Sequence, residues 1–182
     1  MTSDSAVIPR FPSPARRLIS PLPPGLLGPL MRRLVRQTAS AHPDLFARLG
    51  EHAAKTYEIA PTDLPMAFTL KPDPGNPQIE VRRTNRPVQW DCRIAGPLAA
   101  LLGMIHGAYD GDALFFSRDI VIEGDTAAGL ALRNAIDNAE LDLFEEALDM
   151  LGPLKPRLAP RLRPLVASVG QRTGVALQRV EL

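Results

Sequence analysis

Chemically versatile side chains are scarce in this sequence, which has one cysteine, one tryptophan, three histidines and an aromatic content of 5%. The lone Cys92 excludes an internal disulfide and any CxxC metal or redox motif, and it fits a reducing compartment. His42, His52 and His106 form neither HExxH nor a local pair at metal-ligand spacing. No serine lies in GxSxG, no strand leads into GxGxxG, and there is no Walker sequence. Zinc hydrolases, thiol oxidoreductases, α/β-hydrolases and nucleotide-binding folds are therefore poor matches, and neither a cofactor nor a metal is expected. Long apolar runs are missing as well. The best candidate, Ala95 to Ile105, contains Pro97 and stops at His106, short of the roughly 18 residues that a bilayer span needs. The N-terminal residues lack a compact apolar core with a cleavage site after it, so they read as a poor secretory signal, and a cytoplasmic protein is expected.

Proline is abundant, at 19 residues, while 45% hydrophobic and 23% charged residues make an ordinary globular balance. A chain of 182 residues holds one domain with a real core and extra length at its ends. The net charge of +1 conceals a segregation. Residues 1–37 carry six arginines against Asp4, a net +5, and residues 153–182 carry six bases against Glu181, again +5. The middle is then −9, so basic ends flank an acidic body.

The chain divides accordingly into a basic proline-rich arm and amphipathic helix (1–40), a folded domain (41–151) and a basic proline-rich C-terminal segment (152–182). After the proline-dense first 25 residues, a helix is expected from Leu26 to Gln37, with Leu26, Leu27, Leu30, Met31 and Leu34 on one side and Arg32, Arg33 and Arg36 opposite. A second helix is expected from Pro43 to about Tyr57. "MAFTLK" and "IEVR" alternate around the turn-forming "PDPGNP" and predict a hairpin, and "WDCRI" predicts a half-buried strand. "PLAALLGMIH" opens with proline and reads as a short apolar helix.

From Leu114 to Ile136 the hydrophobic period changes from two to about 3.6 across Gly124-Asp125-Thr126. Leu114–Phe116 and Ile120–Ile122 are expected to be extended. Asp125 or Thr126 then caps a helix continuing through Ala128, Leu132 and Ala135, with a kink near Asn138 before a helical pattern resumes to Leu151. Pro156, Pro160 and Pro164, four apart, argue against a helical interior in "KPRLAPRLRP".

Several residues admit both a chemical and a plain reading. Cys92 alternates with Trp90 and Ile94, which favours a buried structural thiol. His106 ends an apolar helix and is expected to be satisfied by backbone. Glu145 and Glu146 point about 100° apart on a helix and read as a solvated face. Asp110 and Asp112 read as a turn rather than a calcium loop. An enzyme would need Asp110, Asp112, His106 or Ser117 to converge at a pocket mouth. Arginines without interleaved aromatics do not favour nucleic acid. The small residues Ala127, Ala128, Gly129, Ala131, Ala135 and Ala139 are expected to leave room between the last helix and a half-dry sheet.

The residues around the joint carry a resemblance. Leu114-Phe115-Phe116, Arg118, Val121-Ile122-Glu123-Gly124-Asp125-Thr126, Gly129-Leu130, Asn134 and Glu140-Leu141 resemble the last strand and following helix of the sterol carrier protein 2 (SCP2) domain family, in its ubiquinone-biosynthesis branch. The resemblance implies an α+β fold, an SCP2-like, mainly antiparallel sheet of about five strands with helices over one face and an apolar tunnel. It also implies a non-enzymatic carrier of prenylated ubiquinone precursors in oxygen-independent synthesis, working beside UbiU and UbiV-like hydroxylases. A general fatty-acid or sterol carrier, and a membrane-surface adaptor without a cavity, are the alternatives. The expected lipid-binding residues are Phe68, Leu70, Trp90, Leu101, Ile105, Phe115, Phe116, Ile120, Ile122, Leu130 and Ile136. The expected contacts with an anionic membrane surface are Arg16, Arg17, Leu27, Leu30, Met31, Arg32, Arg33, Leu34 and Arg36, which make the protein peripheral to the inner face of the membrane.

Overall fold

A computed structural model describes residues 24–179; Arg16 and Arg17 lie outside the described residues. The helix expected at Leu26 to Gln37 is longer, α1 (Pro24–Ala41), and runs beside the edge of the sheet. The second expected helix is cut short. α2 covers only Pro43–Ala47, a 3-10 turn follows at Gly50–Ala54, and Tyr57 already belongs to strand β1 (Tyr57–Pro61). The break has a local cause: Gly50 takes φ +53, outside the helical region, and Lys55 is extended.

The remaining strands are β2 (Met66–Lys71), β3 (Gln78–Arg83), β4 (Cys92–Gly96) and β5 (Val121–Gly124), in the order β3-β2-β1-β4-β5. β1 and β4 pair in parallel, Tyr57 opposite Cys92 and Ile59 opposite Ile94, and every other pair is antiparallel. The register sorts the side chains strictly. Tyr57, Ile59, Phe68, Leu70, Ile79, Cys92, Ile94 and Ile122 share one face, and Glu58, Thr69, Glu80, Arg82, Arg93 and Glu123 share the other.

Helices cover the apolar face. α3 (Leu98–Ile105) has its first turn held by the Asp63 carboxylate, which accepts from the Leu98 N–H at 2.9 Å. Leu114 to Phe116, expected as strand, is helical and ends α4 (Gly111–Phe116). Three apolar residues in a row do not fix a period; the deciding residue is Asp110, whose carboxylate caps α4 through the Asp112 N–H at 2.8 Å. The joint folds as expected. Asp125 accepts from the Ala128 N–H at 3.0 Å and starts α5 (Thr126–Ala139), while its own N–H donates to the Asp91 carbonyl at 2.8 Å. α5 stops at Glu140, which takes φ 50, so the expected kink is a helix end. Asp142 then caps α6 (Leu143–Asp149) through the N–H groups of Phe144 and Glu145.

The largest departure is α7 (Lys155–Thr173), a continuous helix through Pro160 and Pro164. The four-residue spacing that argued against it explains it. Pro160 and Pro164 remove donors only from the carbonyls of Pro156 and Pro160, which stack on one side of the helix. All three prolines are exposed, so that side of the helix is open to solvent, where a carbonyl without an N–H partner costs least.

The main core cluster lies between the sheet and the helices, built from Leu45, Phe46, Leu49, Tyr57, Cys92, Ile94, Leu101, Met104, Leu114, Ile120, Ala128, Leu132 and Ala135, with Val35 and Ala39 of α1 against it. The opposite face holds a second, small apolar cluster of Ala60, Ala67 and Ala95, beside a charge network. Glu58, 7% exposed, accepts from Arg82 and from Arg93 at 3.0 Å, and Arg93 also reaches Glu123.

Candidate functional site

The apolar space between sheet and helices is a narrow slit. It is walled by Ile94 and Ile122 of the sheet, Met104 of α3, Phe115 of α4, Ile120, and Gly129 and Leu130 of α5, with Arg133 and Asp112 at one end. Its volume is about 20 Å³, room for about one water and not for a lipid chain, so the expected open tunnel is corrected to a closed seam. The cause lies in the residues that were expected to leave room. A side chain on Gly129 would begin 2.7 Å from Ile122 Cγ2 and 3.2 Å from Cys92 Sγ. Ala128, Gly129 and Ala135 let α5 settle directly on the strands, and their small size brings the layers together.

The slit reaches the surface at residues that are apolar yet exposed. Phe115 and Leu130 line it while remaining 43% and 45% exposed, and the Phe116 ring, 81% exposed, stands edge-on to Phe115 with centroids 6.0 Å apart. Val121 is exposed as well.

Arg133 occupies the boundary between this slit and a second, polar cleft of about 290 Å³, whose walls include Tyr109, Asp110, Asp137 and Arg179. Met104 and Gly111 also belong to both spaces. The Arg133 guanidinium pairs with Asp112, with Asp110 at 3.7 Å and with Asp137 at 3.3 Å. Burial holds the Asp137 carboxyl above its usual range, opposed by Arg133. The "YDGD" loop is thus an arginine clamp. It escaped the sequence reading because Arg133 lies on a separate helix.

Of the expected lipid-binding residues, the slit brings together Phe115, Ile120, Ile122 and Leu130. Leu70, Ile105 and Ile136 pack at the margin of the core and Leu101 lies inside it. Phe68 is half-buried on the apolar face, and Phe116 points outward. Trp90 stands apart, in a cleft of about 240 Å³ on the opposite face with Glu58, Arg82 and Arg93. The alternation that grouped it with Cys92 and Ile94 fails because β4 begins only at Cys92. Slit residues missed in the sequence are Ile94, Met104, Gly111 and Arg133.

The reactive groups are quiescent. Cys92 is fully buried, and burial pushes its thiol up to about 11. Burial likewise raises the Tyr57 phenol, which donates to the His52 carbonyl at 3.0 Å. His106 is satisfied by backbone, donating from Nδ1 to Ala176 O at 2.7 Å and accepting the Leu143 N–H on Nε2 at 3.1 Å. Glu146 is buried rather than solvated and pairs with His42 at 2.8 Å, while Glu145 takes both nitrogens of an Arg163 fork at 2.8 Å.

Of the expected membrane-contact residues, Leu30 is 50% exposed, Arg32, Arg33 and Arg36 are exposed, and Leu27, Met31 and Leu34 are half-buried. Arg33 also donates to the Met150 carbonyl at 2.9 Å, which ties α1 to the domain. None of the described helices is long and apolar enough to cross a membrane.

Comparisons with known proteins agree with this architecture. Over 63 residues the chain is 40% identical to the ubiquinone biosynthesis accessory factor UbiT of Escherichia coli strain K12, a match covering 35% of this chain and 36% of that protein. The same identity and coverage hold for UbiT of Escherichia coli O157:H7. The match therefore spans about a third of these relatives' length. The solved structure of the UbiJ-SCP2 ubiquinone synthesis protein superposes with a TM-score of 0.52 at 16% identity, over 65% of this chain and 96% of that one, a likeness of fold. Residues 33–137 match the SCP-2 sterol transfer family, and the chain belongs to that family.

Proposed function

We propose that this protein is a non-enzymatic lipid carrier that holds prenylated ubiquinone precursors and presents them to separate ring-modifying enzymes, UbiU and UbiV-like hydroxylases among them. The observation that carries the reading is the meeting of an apolar slit and a polar cleft at Arg133 and Met104. Such a junction suits an amphiphile, with its tail between sheet and α5 and its ring among Tyr109, Arg133 and Asp137. The UbiT similarity supports the choice of a prenylated ring over a fatty acid or a sterol.

The energetics favour a site that opens on demand. At about 0.8 kcal/mol per buried CH₂, ten carbons of tail resist entering water by roughly 8 kcal/mol, so the ligand passes from bilayer to protein without hydration. A closed seam keeps the empty core dry, and an entering chain parts α4 and α5 at Phe115 and Leu130. Loading then takes place at the membrane. In this reading residues 1–40 form a basic attachment segment, in which Leu26 and Leu30 of α1 are exposed beside Arg32 and Arg36, residues 41–151 form the carrier, and residues 152–182 are a basic C-terminal segment packed against it through Ala159 and Val175.

The test is the lipid content of protein purified without detergent, read by mass spectrometry. Isoprenoid quinone or its precursors are expected at appreciable occupancy. Protein that is repeatedly empty and also fails to take up added quinone from vesicles overturns the reading, and a fatty acid or sterol in the site changes the ligand class.

A further inference from the structure

α7 carries an apolar stripe that the domain does not cover. Leu165 is 62% exposed and Val169 49%, and Leu154, immediately before the helix, is 51% exposed. At about 100° per residue, Leu165 and Val169 fall within a sector of about 60° together with Leu158 and Leu162, which are half-buried. Arg157, Arg161 and Arg172, all exposed, border that sector on one side, and the buried Ala159 lies beyond it on the other.

The basic residues of α7 fall into two groups. Lys155 pairs with Asp149 and with Glu145 at 3.5 Å, and Arg163 grips Glu145, so these hold the helix to α6. Arg157, Arg161 and Arg172 enter no ion pair among the described residues. The three prolines take the side opposite the apolar sector, and the donorless carbonyls of Pro156 and Pro160 need water there. One orientation satisfies every part of this helix: proline side in water, arginines at a layer of anions, and the leucine and valine sector in an apolar phase.

We propose that α7 docks this protein on an anionic phospholipid surface, with Leu165 and Val169 in the acyl boundary and Arg157, Arg161 and Arg172 at the phosphates. Charge complementarity selects lipid over an acidic protein partner, because a helix with a strip of cations beside aliphatic residues matches the layering of headgroup and acyl chain. The surface lies beyond residues 33–137, the part matched by the family. The inference does not depend on the carrier reading, since a protein that holds no lipid could still dock in this way.

The experiment is flotation of the full chain with phosphatidylcholine vesicles, with and without phosphatidylglycerol, at low and high salt. Replacing the three arginines together (Arg157→Gln, Arg161→Gln, Arg172→Gln) should weaken binding to anionic vesicles about a hundredfold at low salt, from about 1 kcal/mol for each charge. Thermal unfolding of the variant checks that these exposed changes leave the fold intact. A second measurement is independent of the arginines. Leu165→Cys, labelled with an environment-sensitive dye while the fully buried Cys92 stays unmodified, should shift to the blue on anionic vesicles and return at high salt. A protein that floats with an unshifted dye and unchanged arginine-variant binding docks through another surface, which overturns the proposal. A wild-type chain that ignores anionic vesicles also overturns it, and an acidic protein then becomes the occupant.

Discussion

His106 Nδ1 donates to the Ala176 carbonyl at 2.7 Å, while Nε2 of the same ring accepts the Leu143 N–H at 3.1 Å. One buried imidazole thus joins the end of α3, the start of α6 and the segment after α7. The two bonds require the neutral ring with its proton on Nδ1, because an imidazolium would turn a second donor toward an N–H. Burial depresses the tendency of this histidine to protonate, against a raising effect of the Ala176 bond.

The sign of the pH dependence follows. Above about pH 6.5 the ring is neutral in folded and unfolded chains alike, and the contact is at full strength. As pH falls below that value the unfolded chain gains a proton first, so stability drops by up to about 1.4 kcal/mol per pH unit until the folded ring titrates as well. Urea denaturation between about pH 8 and about pH 5 measures this, and His106→Gln should lose the portion of the slope that His106 supplies. A wild-type slope unchanged by that substitution would exclude the role.

Gly129 sets how closely α5 sits on the sheet. Gly129→Val places atoms where Ile122 and Cys92 already are, so an overpacking cost of about 1–3 kcal/mol is expected, read as a lower unfolding midpoint. The paired change with Ile122→Ala should recover part of it. Simple additivity of the two changes would show that the seam is not tight.

At the mouth of the slit, Leu130→Asp should cost about 1–2 kcal/mol of stability and leave the protein folded, because it gives up the covered half of an apolar side chain and a better helix former. Lipid retention should fall about tenfold or more, since a carboxylate then stands where the tail enters. Co-purified lipid per protein is the readout, and unchanged occupancy would move the entrance elsewhere.

Cys92 should resist alkylation in the folded protein and react fully in denaturant, because the thiolate is the reactive form and burial holds this thiol near 11. Its labelling rate in native buffer then reports opening of the seam between β4 and α5. Rapid labelling without denaturant would contradict a packed seam.

What could be read in advance was what residues decide locally. Asp125 and Thr126 announce the start of α5 because a cap involves a carboxylate and an N–H three residues away. The β2–β3 hairpin was equally plain from its turn residues. The errors came from effects that depend on distant structure. Whether prolines end a helix depends on whether the orphaned carbonyls meet water, and that is fixed by which side of α7 faces outward. Whether alanine and glycine mean a void or a close approach depends on how far α5 can descend onto Ile122 and Cys92. Tyr57 and Ile59 do alternate, but their strand was hidden by the helical pattern before Gly50, and its parallel partner lies beyond the hairpin. Arg133 gave no signal because two of its three carboxylate partners, Asp110 and Asp112, stand at the start of α4, about twenty residues away in the sequence.

The parallel seam between β1 and β4 has a consequence for the order in which the molecule assembles. β1, β2 and β3 are sequential neighbours and zip by short loop closures, whereas Tyr57 meets Cys92 only after the whole hairpin has been spooled out between them. Loop-closure entropy therefore predicts that one half of the sheet forms early and that β4, β5 and the roof of the slit join late, an order that pulsed hydrogen exchange would read. That long-range pairing is what sets Ile94, a wall of the slit, beside Ile59 of the first strand.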